Sequence, residues 1–157
     1  MDPVIQTFKN DFDRFYDMLI MQIDVCPDNL WTAKEGGYFY WQQVLHAIGV
    51  TEMYTVKDGD KFSPKYGMPV IMLSEEPADY LSKDELRELA LDVREKVYDY
   101  LNSLKPEQLL TLHPFFTKAL KKDTNYLAML IALVRHLCYH IGCLDSVLRN
   151  NGLKGVY

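Results

Sequence analysis

The stretch RHLCYHIGCLDSVLR at 135–149 carries two histidines, His136 and His140, four residues apart in a run that is otherwise mostly apolar. On a helix turning about 100° per residue, Met129, His136, His140, Cys143 and Val147 fall within roughly 40° of one direction. Residues at i and i+4 are neighbours on a helix surface, so these two rings can meet on one metal ion. Neutral imidazole is a good ligand for zinc, nickel or ferrous iron, and two rings supply two corners of a coordination sphere. A third ligand must come from elsewhere, and His46 is the well-placed residue. With Phe39, Val50 and Met53 it lies on one face of another helical segment, and Gln42 and Gln43 lie near that face. Three histidines leave one or more positions open for water or substrate, which is what separates a catalytic metal site from a structural one. The alternative makes each histidine a core residue bonded to a tyrosine hydroxyl or a carbonyl.

Sharper metal motifs are excluded. HLCYH lacks the glutamate that a zincin places after its first histidine. No Glu-x-x-His pair occurs, so a di-iron carboxylate bundle fails. Cys138 and Cys143 point in different directions, and only Cys143 shares the histidine face, as core filler, neighbour or fourth ligand. His113, in LHPFF beside a proline, reads as a loop residue.

Helices must position these rings. Asp2-Pro3 starts the first, and Ile5, Phe8, Phe12, Phe15, Leu19, Ile23 and Cys26 recur along one face until Pro27. PDNLWTAKEGG reads as a turn before the helix that carries His46. Residues 54–81 hold KDGDK, SPKYG and EEP, an irregular connection long enough to close over a pocket. Ser82 and Glu85 form a capping box, and Leu86, Leu89, Val93, Val97, Leu101 and Leu104 carry that helix to Pro106. A short helical piece is expected over 106–110, and Asn151-Gly152 closes the last helix. VIML at 70–73 is the best strand candidate. The expectation is one all-α domain over 1–157, an antiparallel four-helix bundle with helices near 3–26, 38–53, 82–104 and 124–151.

A net charge of -5 argues against nucleic acid, which needs a clustered basic surface, and Lys118, Lys121 and Lys122 read as a solvated helix end. The apolar run at 127–134 is short of a bilayer span, so no membrane is expected. Three cysteines without framework spacing suit a reduced, cytoplasmic setting.

RHLCYHIGCLDSVLR resembles the Arg-His-x-x-x-His-x-Gly-Gln-Leu pattern, closing in Leu-Arg, of the DinB-like superfamily of four-helix bundles. YWQQVLHAIGVTEMY is similar to the family segment that carries a lone histidine, and LSKDELRELALDVREKVYDYL to the third helix of one branch. The resemblance implies that His46, His136 and His140 are a divalent-metal triad, with Cys143 standing where the family usually has glutamine. Glu52 falls where many relatives have aspartate, but its helical direction lies away from His46. The resemblance also implies a homodimer and a metal-dependent enzyme acting on a small-molecule substrate. In such thiol-dependent transferases a low-molecular-weight thiol, such as bacillithiol or mycothiol, attacks an electrophile, and hydrolysis is the variant. Tyr139, Gln42 and Gln43 are candidate polar neighbours. The competing reading is a non-catalytic, dimerising metal-binding module with a vestigial or sensory site.

Overall fold

The computed structural model describes residues 2–57 and 61–157. The Asp-Gly-Asp of the KDGDK turn lies outside the described residues. Helix α1 spans Pro3–Val25 and begins where the Asp2 carboxylate accepts the amides of Val4 and Ile5. A short α2, Asp28–Trp31, leads into a hairpin of β1, Lys34–Glu35, and β2, Tyr38–Phe39. Its two turn residues, Gly36 and Gly37, have φ of 66° and 95°, the left-handed backbone that a two-residue hairpin turn requires. Helix α3 spans Tyr40–Met53, α4 Met68–Ile71 and α5 Lys83–Ser103. A 3-10 turn at Pro106–Gln108, α6 at Pro114–Leu120 and α7 at Tyr126–Asn150 complete the order.

The chain is mostly helical, as expected, and each of the four long helices packs against at least two others. Helices α1 and α3 each contact both α5 and α7. The periodic residues of α1 point into the shared core, where Ile5, Phe12, Tyr16, Leu19 and Ile23 are all buried. Each such apolar side chain contributes about 1.5–3 kcal/mol relative to exposure. Helix α3 is the innermost, with every residue from Tyr40 to Thr51 buried. A helix buried all round has no solvent face on which to leave a polar ring, so His46 must find its partners inside.

The strand candidate at 70–73, which shows no convincing alternation, forms no strand: it falls in and after α4, whose Ile71 and Met72 amides bond to the carbonyls of Gly67 and Met68. Pro69 sits in its first turn, and a helical turn satisfies backbone groups that an isolated strand would leave open. The connection after α2 is a hairpin rather than an irregular turn, and Tyr38 and Phe39 belong to it instead of to α3. The helical piece after Pro106 stops at Gln108. Helix α7, counted with its polar residues, is long and apolar enough by length and composition to cross a membrane, unlike the uninterrupted run alone. Its inner face packs against α1 and α3 and carries buried His140 and Asp145.

Asp145 anchors this part of α7. Gln22 of α1 donates from Nε2 to the carbonyl of Ile141 and to Asp145 Oδ1, both at 2.9 Å. The amides of Val156 and Tyr157 donate to the two Asp145 oxygens at 2.9 and 3.0 Å. Burial raises the Asp145 pKa, but the hydrogen bonds from Val156, Gln22 and Tyr157 outweigh it and hold the carboxyl below its ordinary value. Gly155 is required here, because a Cβ would lie 2.4 Å from Asp145 Oδ2. The stretch of α7 that carries His140 is therefore fixed against α1 by a charged hydrogen-bond network.

Candidate metal centre

Helices α3 and α7 pack directly, which brings His46 against His136 and His140. The ring centroids are 5.1 Å apart for His46 and His136, and 4.4 Å for each of the other two pairs. One nitrogen from each ring lies within 4.8 Å of the others, so the group could hold a metal ion. The Nε2 atoms of His46 and His136 are 3.1 Å apart. Ligand bonds of about 2.0–2.1 Å in a tetrahedral shell put nitrogens about 3.3–3.4 Å from one another, so this pair is already close to metal-binding separation.

The partners of each ring decide between a metal site and ordinary core histidines. His46 Nδ1 donates to the carbonyl of Ile71 at 2.6 Å, which leaves its Nε2 lone pair facing the other rings. His136 and His140 bond to neither a tyrosine hydroxyl nor a carbonyl among the described residues, and the Nδ1 of each is buried without a protein partner. His113 makes the contrast. It is buried at the start of α6 rather than exposed in a loop, with Nε2 3.3 Å from the Tyr100 hydroxyl and its ring 4.5 Å from that of Tyr126. It lies outside the triad and behaves as the core histidine.

Burial lowers the pKa of all three triad rings, since a low-dielectric surround disfavours imidazolium. His136 is brought to about 4 and His140 to about 3, with repulsion from neighbouring imidazolium adding to burial. For His46 the bond to Ile71 works against burial without overcoming it. At neutral pH the rings are uncharged, the protonation state that ligates a metal.

A cavity of about 310 Å³ opens beside His140, with Gln43, Tyr139 and Cys143 on its wall. Gln42 is turned elsewhere and donates to the Glu75 carbonyl at 2.8 Å. Glu52 points away from the triad, as its helical direction predicts, and pairs with Lys96 at 2.6 Å. Two parts of the site escaped sequence reasoning. One is the carbonyl of Ile71, supplied by α4 from within the long connection. The other is Gly49, one turn beyond His46, where a Cβ would lie 2.6 Å from Ile71 Cδ1 and 2.9 Å from its Cγ2. Only a bare backbone at Gly49 lets α4 come close enough for that carbonyl to reach His46.

No known protein family, curated protein or solved structure matches the chain.

Gly49→Ala should push α4 away from α3, since Ile71 is buried and has little room to yield. Loss of the His46 orientation should weaken zinc binding by about 10–100-fold in a competition titration. Adding Ile71→Ala should restore most of the affinity, because it removes the clash and keeps the carbonyl; an unchanged Gly49→Ala affinity would contradict this role.

The neutral rings also predict an acid dependence for the metal-free protein. Unfolded imidazoles protonate near 6.5, whereas His136 and His140 in the fold resist protonation down to about 4 and 3. As pH falls, the unfolded state takes up these protons first. Their stabilisation is present above the unfolded value of 6.5 and is lost as pH drops toward about 4 for His136 and about 3 for His140. Urea midpoints should fall more steeply across that interval for the wild type than for a His136→Leu/His140→Leu variant, and equal slopes would contradict the assignment.

Proposed function

We propose that this chain is a metal-dependent enzyme of the DinB-like kind, an antiparallel four-helix bundle in which His46, His136 and His140 hold a divalent zinc, nickel or iron ion. One observation carries this reading: three imidazoles face one another, and one of them, His140, lines a cavity. A divalent ion bound there supplies a Lewis acid that lowers the pKa of a bound thiol or water toward neutrality.

The chain's own residues provide the rest. The Ile71 carbonyl fixes the His46 tautomer, and the packing of α3 against α7 sets the separation of the rings. Gln43 and Tyr139 stand on the cavity wall, where a substrate would meet their hydrogen-bonding groups. In the transfer reaction a low-molecular-weight thiol attacks a small electrophile, and in the hydrolytic variant water does so. One observation favours a non-catalytic metal-binding module instead. Among the described residues, no carboxylate is hydrogen-bonded to a triad histidine, so no built-in base stands beside the rings.

Metal analysis of the purified protein, followed by a thiol-conjugation assay with a generic electrophile, separates the two readings. The enzyme should carry about one ion per chain and turn over, and His140→Ala should lose both. Tight metal without turnover in either thiol or hydrolysis assays would leave the binding module.

The proposal includes a cytoplasmic setting, supported by three free cysteines, and a homodimer. Ala128, Ile131 and Gly142 are exposed on one face of α7 together with Arg135, and half-buried Cys138 flanks them; Ile131 is 48% exposed. A symmetric partner could cover that face. Sedimentation at micromolar concentration should read a dimer, shifted toward monomer by Ile131→Glu, and a wild-type monomer would remove the claim.

A further inference from the structure

We infer that the mouth of the cavity beside His140 selects substrates carrying an ammonium group, held by Glu35 with the rings of Tyr38 and Tyr139. This inference rests on the proposed metal site and concerns the far end of whatever small molecule reaches it.

The cavity is a ligand site on an observation independent of charge. His140 lines it, is only 7% exposed, and keeps Nδ1 without a partner among the described residues. The wall then specifies the ligand. Glu35 is the one formally charged side chain lining it, and no lysine or arginine does so among the described residues. The hairpin register pairs Glu35 with Tyr38 across the Gly36-Gly37 turn, so the turn brings carboxylate and aromatic ring to the same rim. Lys34, the neighbour of Glu35, is taken out of play by its ion pair with Glu76. Alternation along the strand sends the two side chains to opposite faces.

The carboxylate is held in place without being neutralised. Asn151, at the C-cap of α7, donates from Nδ2 to both Glu35 oxygens at 3.1 and 2.9 Å and to the Val147 carbonyl at 3.0 Å. An amide is a neutral donor, so the negative charge of Glu35 remains for a ligand. The cavity also runs along the last turns of α7, past Cys143 and Val147, where the helix presents the negative end of its dipole. A carboxylate, a helix C-terminus and two tyrosine rings all favour a cation over a neutral or anionic group.

The test uses zinc-loaded protein and alkyl hydroxamates, a generic metal-binding head, by calorimetry. Three pairs of probes, with chains of two, four and six methylenes, each compare a terminal ammonium with a terminal methyl. At one length or more the ammonium probe should bind about tenfold more tightly than its methyl partner. Glu35→Gln should reduce that ratio to about twofold or less while the methyl probes bind as before. Equal affinity within every pair, or a preference that survives Glu35→Gln, would overturn the inference and leave the open metal site standing. Binding by none of the six would overturn the open-site reading and this inference with it.

Discussion

A neutral imidazole has one nitrogen that donates and one that accepts, and burying the ring obliges both to find partners. His46 meets that obligation through the bond from Nδ1 to the Ile71 carbonyl on one side and, on the other, through its Nε2, 3.1 Å from His136 Nε2. The Ile71 bond leaves the other nitrogen as a lone pair directed at His136 and His140, and the rest of the site follows from it. Helix α4 must lie against α3, Gly49 must lack a side chain, and the long connection after α3 must fold back to deliver a carbonyl. An unsatisfied buried polar group costs about 1–3 kcal/mol. Leaving the Nδ1 atoms of His136 and His140 without partners among the described residues is therefore a cost that a fold built only for stability would avoid.

The site sits on rigid elements. Helix α3 is buried along nearly its whole length, and Asp145 ties α7 to Gln22 of α1 beside the carbonyl that follows His140. Two helices fixed in this way set ring separations more firmly than loops would, as a metal centre requires. The adaptable parts are at the rim. The hairpin and the end of α7 meet through Glu35 and Asn151, so the chemistry of the cavity mouth can vary without disturbing the triad.

The three histidines of the candidate centre were legible because helical periodicity is local. Spacing alone puts His136 and His140 on one face, and the same count turns His46 inward and Glu52 away. The caps were legible for the same reason: Asp2 and Ser82 act within one turn of themselves. Contacts between distant segments were not. That Gly49 would meet Ile71 depends on where α4 lands, and Val70, Ile71, Met72 and Leu73 form an apolar run too short for periodicity to tell strand from helix. The hairpin was missed although Gly-Gly between Lys34-Glu35 and Tyr38-Phe39 is a turn signal, since two-residue strands show no alternation. His113 failed differently: a proline beside it suggested a loop, yet the ring is packed among Tyr100, Phe116 and Tyr126.

X-ray absorption on the zinc-loaded protein tests the central claim most directly. Three imidazole nitrogens and one exchangeable oxygen ligand should appear at about 2.0–2.2 Å, with the outer-shell scattering of the rings. A sulfur shell at about 2.3 Å would put the Cys143 thiolate in the open position, and fewer than three imidazoles would break up the triad. Either result would contradict an open three-histidine centre.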